Sequence, residues 1–208
     1  MAAPPGSTRR ERRKHELRAR VLESAEALFD AQGVDATTVA EICERADVAQ
    51  KTFFNHFASK QQLLRELARE ALERLCVQLE EIRQKPGSTA ERLSAFFRQI
   101  ADNAESAGPM HRELLTEIIH VAQDAGSEPE QARRLHAAFG ALLRDGRAEG
   151  DVSRVDSLAT QTEMLLGAFY ALTFNWAHLE GYPLRRQAAA AARFLARALA
   201  PPEQGVPR

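Results

Sequence analysis

The stretch Thr37–Lys60, TTVAEICERADVAQKTFFNHFASK, is the most informative part of this chain. Thr38, with Glu41 three residues later, has the sequence of a capping box and predicts the start of a short helix. Residues 46–48, Ala-Asp-Val, predict a tight turn, which is followed by a second short helix and then by a long helix that begins at Ser59. Two short helices joined by such a turn predict a helix-turn-helix, a unit that sets its second helix into the major groove of DNA.

The second helix, predicted over residues 49–56, has one apolar and one polar face. Phe53 and Phe57, four residues apart, are expected to point inward with Val48. The outward side chains include amides, a lysine and an imidazole, which suit base edges and phosphates. The predicted base contacts come from Gln50, Lys51 and Asn55, and the predicted phosphate contacts from Thr52, His56 and Lys60. Thr38 and Phe54 complete the predicted DNA-binding surface.

Lys60 lies in the first turn of the long helix, which Ser59 and Gln62 are expected to cap. Its ammonium is expected to point, together with the free amides of that turn, at one phosphate.

This stretch resembles the DNA-binding domain of the TetR family of bacterial transcriptional repressors. The resemblance rests on Thr37-Thr38-Val39, Ile42, Ala46-Asp47-Val48, Thr52-Phe53 and Asn55-His56-Phe57-x-Ser59-Lys60. It implies a homodimer that binds a palindromic operator, and a helical body that holds a ligand pocket and a dimer interface. In that family the last two helices pack against their copies in a four-helix bundle.

Three positions depart from the pattern of the family. Asp47 replaces a glycine in the turn, and aspartate tolerates a positive φ better than most residues. Ala49 replaces a capping serine, which costs about 1 kcal/mol. Phe54 replaces a tyrosine that contacts a phosphate, so one hydrogen bond is lost and an apolar ring lies near the duplex.

The N-terminal segment carries a local excess of positive charge, although the net charge of the whole chain is only −1. Its basic residues are Arg9, Arg10, Arg12, Arg13, Lys14, Arg18 and Arg20. We expect residues 1–10 to form a disordered basic arm that reaches phosphates or a minor groove. The alternative is an ordinary solvated run of charge. No apolar segment follows the charges, so we do not expect a signal peptide.

Composition predicts a cytoplasmic protein with no membrane partner. The chain is 44% hydrophobic, which provides for a sizeable core, and no apolar run is long enough to cross a membrane. Cys43 and Cys76 stand at apolar helical positions and are expected to be reduced core residues, with redox sensing as the alternative.

Helical periodicity continues through the rest of the chain, and no strand pattern is present. We therefore predict an all-α fold of about nine helices, with breaks at Gly33, residues 85–87, Gly108-Pro109, residues 124–127, Gly150 and residues 181–183. The predicted division is a basic arm at 1–10, a helix-turn-helix head at 11–58, a helical ligand-binding and dimerisation body at 59–200, and a flexible tail at 201–208.

The body supplies candidates for two further sites. A mostly apolar cavity would suit a small hydrophobic or aromatic effector, such as a drug-like compound, a fatty acyl group or an aromatic metabolite. Its predicted lining is Phe96, Phe97, His111, Leu114, Phe139, Met164, Phe169 and Tyr170. The predicted dimer interface is Leu165, Leu172, Trp176, Phe194 and Leu195. The alternative for the pocket set is that these are ordinary core or surface residues, and the alternative for the interface set is burial inside a monomer.

The sequence contains no recognisable catalytic or metal-binding motif. Glu117 and His120 form one Glu-x-x-His pair, whereas di-iron bundles need two such pairs and two further glutamates. We therefore predict no enzyme activity, no metal and no cofactor. The alternatives are a helical small-molecule enzyme or a protein-interaction adaptor with a degenerate head. Salt-sensitive DNA binding separates a regulator from both.

Overall fold

The computed structural model describes residues 8–105, 110–123 and 129–202; of residues 118–123 and 129–132 it describes the backbone alone. The predictions on residues 1–7, Gly108-Pro109, residues 124–127, the His120 side chain and the tail beyond residue 202 lie outside this part. Within it, nine helices and no strand are present, which confirms the predicted all-α class. The helices are α1 (Arg9–Gln32), α2 (Val39–Arg45), α3 (Gln50–Phe54), α4 (Lys60–Gln84), α5 (Thr89–Glu105), α6 (Met110–Gln123), α7 (Pro129–Glu149), α8 (Leu158–His178) and α9 (Leu184–Leu199).

The head consists of α1, α2 and α3, which pack with the start of α4 around one small core. Thr8 caps α1, because its side chain accepts from the amide of Glu11 while Glu11 accepts from the amide of Thr8 at 2.6 Å. The basic residues from Arg9 onward are therefore helical. The apolar side chains buried in the head core include Val21, Ala25, Phe29, Ile42, Cys43, Phe53 and Phe57.

The long helix α4 leaves the head and runs through the body. It packs on α5, α6 and α7, while α5 packs on α9 and α7 on α8. Phe96, Phe97, Phe139 and Phe169 meet in the middle of the body, where the rings of Phe96 and Phe139 make an edge contact at 5.2 Å between centroids. All four rings are buried, so this cluster forms the core of the body.

A hydrogen-bonded corner closes the end of the body that lies far from the head. The amide and the hydroxyl of Thr89 donate to the carboxylate of Asp151 at 2.6 and 2.8 Å. Gly146 lies under this corner, where an added Cβ would stand 2.2 Å from the Thr89 hydroxyl oxygen. Only glycine fits at this point of α7.

Among the helices of the described ranges, none combines the length and the apolar character that a membrane span requires.

Candidate DNA-binding surface and ligand cavity

The helix-turn-helix begins and turns as its sequence predicts. Thr38 caps α2: its hydroxyl accepts from the amide of Glu41 at 3.2 Å, and its own amide donates to the Glu41 carboxylate at 2.7 Å. Asp47 adopts a φ of 53° and is the one non-glycine residue with positive φ in the described part of the chain. The turn thus holds Asp47 in the left-handed region, a conformation that aspartate adopts at modest cost.

Helix α3 is shorter than predicted. It covers Gln50–Phe54, and its N-cap, Ala49, makes no side-chain hydrogen bond. Asn55 and His56 form a tight turn after it, with the His56 amide donating to the carbonyl of Phe53 at 2.8 Å. The helix ends early because this turn brings Phe57 back into the core of the head, where it is buried as expected.

The exposed face of α3 carries the side chains predicted to contact bases. Gln50, Lys51 and Asn55 are exposed, and Phe54 lies beside them with 52% of its surface open to solvent. Thr38 is exposed at the start of α2. The structure thus brings these five predicted residues to the surface of the head, and their DNA contacts stay predictions.

Thr52 and His56, predicted to bind phosphates, are half-buried. The Nδ1 atom of His56 is buried and has no hydrogen-bond partner among the described residues. A phosphate contact from either residue stays a prediction.

Arg18, one of the basic residues near the N-terminus, is engaged inside the head. Its guanidinium donates to the carbonyl of His56 at 2.8 Å, forms an ion pair with Glu66 of α4 and lies over the ring of Phe57 at 4.4 Å. It therefore ties α1 to the corner between α3 and α4. No local signal marks this role, since both hydrogen-bonding partners lie about 40–50 residues away along the chain.

The side chain of Lys60 does not point in the predicted direction. Its ammonium donates to the carbonyls of Val34, Thr37 and Asp35 at 2.5, 2.9 and 3.3 Å, so it braces the loop between α1 and α2. An ammonium has three protons, and these carbonyls accept all of them. We expected this ammonium to point at a phosphate together with the free amides of its helix. In the structure it points instead at the loop between α1 and α2. Phosphate contact stays a prediction and would require sharing one of these bonds.

A cavity of about 300 Å³ lies where the head meets the body. It is lined by residues of α1, α4, α5, α6 and α8 and opens to solvent. Its apolar side chains are Ala71, Leu75, Ile100, Met110, Leu114, Leu115 and Phe169, and its polar side chains are Glu26, Asp30, Arg74, Gln78, Asn103 and His111. Burial lowers the pKa of the His111 imidazole, against the opposing effect of the Asp30 charge.

Three of the predicted ligand-binding residues, His111, Leu114 and Phe169, line this cavity. Phe96, Phe97 and Phe139 do not, because they fill the aromatic core. Met164 is 60% exposed on the outside of α8, and Tyr170 is half-buried outside the lining.

Burial raises the pKa of the Tyr170 hydroxyl. The sequence analysis did not predict Glu26 and Asp30 as lining residues, because they lie on α1 of the head and not in the body.

The predicted dimer interface also needs correction. Leu165, Leu172 and Leu195 are buried within the protomer itself, so they have no surface left for a partner. Trp176 is half-buried; its ring packs edge-on against His111 at 5.6 Å and under the guanidinium of Arg112 at 4.8 Å.

The apolar side chains left open on the last two helices are Met164, Phe174 and Phe194, at 60%, 51% and 64% exposure. Gly167 lies between the first two on α8, and a Cβ added to it would meet nothing within 4 Å.

Comparisons with known proteins agree with this architecture. Residues 21–67 match the model of the bacterial regulatory proteins of the tetR family. The transcriptional repressor KstR2 of Mycobacterium tuberculosis is 35% identical over 80 residues, 38% of this chain and 40% of the repressor. The chain thus matches about two fifths of the length of that curated relative.

Solved structures extend the likeness of fold to nearly the whole chain. RolR, solved with resorcinol, superposes with a TM-score of 0.70 at 20% identity, covering 94% of this chain and 97% of that one. FadR of Thermus thermophilus, a TetR-family repressor solved with lauroyl-CoA, gives a TM-score of 0.66 at 23% identity, covering 92% and 99%.

Proposed function

We propose that the chain is a member of the TetR family of bacterial regulatory proteins and acts as a ligand-responsive transcriptional repressor that binds DNA as a homodimer. The observation that carries the proposal is the exposed face of α3, held on a fixed head by the Thr38 cap, the Asp47 turn and the buried rings of Phe53 and Phe57. Repression follows the similarity to KstR2, itself a repressor. Because the proposed partner of this protein is DNA, we also propose that it is located in the cytoplasm.

Three side chains on α3 are proposed to select the operator. Gln50 and Asn55 carry amides, which pair with adenine in the major groove, and Lys51 carries an ammonium, which pairs with guanine. All three are exposed. Thr38, Thr52, His56 and Lys60 are proposed to position the head on phosphates, which add affinity without selecting sequence.

The partner protomer is proposed to pack on the open face of α8 and α9. On α8 this face carries Met164, Gly167 and Phe174, and on α9 it carries Phe194. Exposed apolar side chains around a glycine suit a second helix at close distance. A two-fold dimer presents two heads, as an operator with two half-sites about one helical turn apart requires.

The DNA proposal is tested by selecting genomic fragments with the purified protein and titrating the enriched site by fluorescence anisotropy over a salt series. We expect a palindromic site whose affinity falls steeply as salt rises. Lys51→Ala should change the preferred bases, at a cost of about 1–3 kcal/mol on the original site. Lys85→Ala is the matched control, since it removes an equally exposed lysine at the far end of α4. Absence of any enriched fragment at low salt would refute the proposal.

The dimer is tested separately by sedimentation velocity. Phe194→Glu should give monomers and abolish tight operator binding, because it places a charge in an apolar contact. Val77→Glu, which alters a similarly exposed apolar residue on α4, should remain dimeric. Dimers that survive Phe194→Glu unchanged would place the interface elsewhere.

A further inference from the structure

The head and the body both contribute residues to the lining of the cavity between them. Glu26 and Asp30 lie on α1 of the head, whereas Leu75, Leu114 and Phe169 lie on α4, α6 and α8. A molecule in this cavity contacts both parts at once. Its binding energy therefore depends on how the head is placed against the body, which is the condition for coupling it to DNA binding.

Carboxylates dominate the charge around the opening. Arg74 lies 3.9 Å from Glu26, and it also lies 3.9 Å from Glu70, one helical turn away on α4. Its single positive charge is thus shared between two carboxylates. Asp30 forms no hydrogen bond or ion pair with any described residue. The head side of the cavity therefore carries a net negative charge, since Glu26 and Asp30 face the one shared charge of Arg74.

The inner side of the cavity is apolar and small. Leu75, Leu114 and Phe169 are buried, and the volume of about 300 Å³ stands at the lower end of the range for ligand pockets. The half-buried His111 adds a polar group, and desolvation lowers the pKa of its imidazole. The space suits one aromatic ring or a short branched chain with a polar group at one end.

We propose that this cavity binds a compact, cationic or hydroxyl-bearing amphiphile. Its apolar part contacts Phe169 and Leu114, and its ammonium or hydroxyl group donates to Asp30 and Glu26. The inference rests on the proposed function and specifies the chemistry of its effector. It excludes anionic effectors of the acyl-CoA kind from this cavity, although a structurally similar repressor was solved with lauroyl-CoA. The carboxylates on α1 would repel the phosphates of such a molecule.

The test uses three probes that share a phenyl ring and a two-carbon chain: 2-phenylethylamine, 2-phenylethanol and 3-phenylpropionate. The fluorescence of Trp176, the one tryptophan of the chain, reports binding because its ring packs on His111, which lines the cavity. We expect the amine to bind most tightly, the alcohol less tightly, and the carboxylate roughly tenfold more weakly than the amine.

Variants of the head assign the effect to its carboxylates. Asp30→Asn should weaken binding of the amine about fivefold and leave that of the alcohol nearly unchanged. Glu26→Gln should act in the same direction. Glu23→Gln is the matched control, because it removes an exposed carboxylate of α1 that is outside the cavity lining.

Equal or tighter binding of the carboxylate, absence of amine binding at millimolar concentration, or an unchanged amine affinity in Asp30→Asn would each overturn the inference. Operator binding is measured on the same preparation. If the operator is bound and the amine is not, the inference fails while the proposed function stands. If the amine binds and no DNA does, the proposed function fails while the cavity assignment stands.

Discussion

Replacing Arg18 by alanine tests whether this basic residue holds the head together or contacts DNA. Its side chain is 28% exposed and makes three contacts: a hydrogen bond to the His56 carbonyl, an ion pair with Glu66 and a stacking contact with Phe57. All three lie at the corner where the α3 turn meets α4. Loss of the guanidinium should therefore loosen the corner that orients the exposed face of α3, which is proposed to bind DNA.

The magnitude follows from these contacts. A charged hydrogen bond to a carbonyl contributes about 1.5–3 kcal/mol, and the cation–π contact adds about 0.5–1 kcal/mol. The Glu66 carboxylate, 15% exposed, also loses its partner. We expect Arg18→Ala to lower the free energy of unfolding by about 3 kcal/mol, which for a chain of this size lowers the Tm by roughly 6–12 °C.

The assay is thermal unfolding at one fixed protein concentration, since the Tm of the proposed dimer would depend on concentration. Arg20→Ala, an exposed arginine of the same helix, should change stability by no more than about 0.5 kcal/mol. A double-mutant cycle with Glu66→Gln should give a coupling energy of about 1 kcal/mol. If Arg18→Ala melts like Arg20→Ala while the slope of log affinity against log salt falls by about 0.9, Arg18 is a phosphate ligand and the reasoning fails.

Three further predictions concern local features of the fold. Gly146→Ala should destabilise the chain by about 3 kcal/mol in denaturant unfolding, because its Cβ would stand 2.2 Å from the Thr89 hydroxyl; Gly140→Ala, whose Cβ would find its first neighbour at 3.5 Å, should be neutral or stabilising. Ala49→Ser should supply the missing N-cap of α3 and raise stability by about 1 kcal/mol, and an unchanged Tm would contradict this. The pKa of His111 is lower in the folded chain than in the unfolded chain, so the unfolded chain binds a proton at higher pH. The free energy of unfolding should therefore fall as the pH drops below about 6.5, and His111→Gln should flatten this part of the Tm–pH curve.

Local signals predicted the helix-turn-helix well. The Thr38 cap, the positive φ of Asp47 and the burial of Phe53 and Phe57 each depend on residues within about four positions of one another. Because backbone geometry and the helical period act over this short range, these features can be predicted from the local sequence. The length of α3 was predicted less well, because the packing of Phe57 ends the helix early.

The partners of charged side chains were decided by the tertiary structure. Lys60 bonds to a loop more than twenty residues before it, and Arg18 to a corner about 40–50 residues after it. The sequence shows that both are cations near a DNA-binding unit, and this favoured phosphates as their partners. A flexible cation takes the acceptors that folding places within reach, and its own neighbours along the chain do not specify them.

The residue pattern was enough to predict an all-α chain with a helix-turn-helix head at its N-terminal end and a larger helical body. It did not predict that Leu165 and Leu172 of α8 face inward while Met164 and Phe174 remain exposed, which depends on the packing of the helices. The tertiary structure also placed Asp30 of the head in the wall of the cavity. Periodicity identifies which faces of a helix are apolar, whereas the positions of the other helices determine which of those faces is covered.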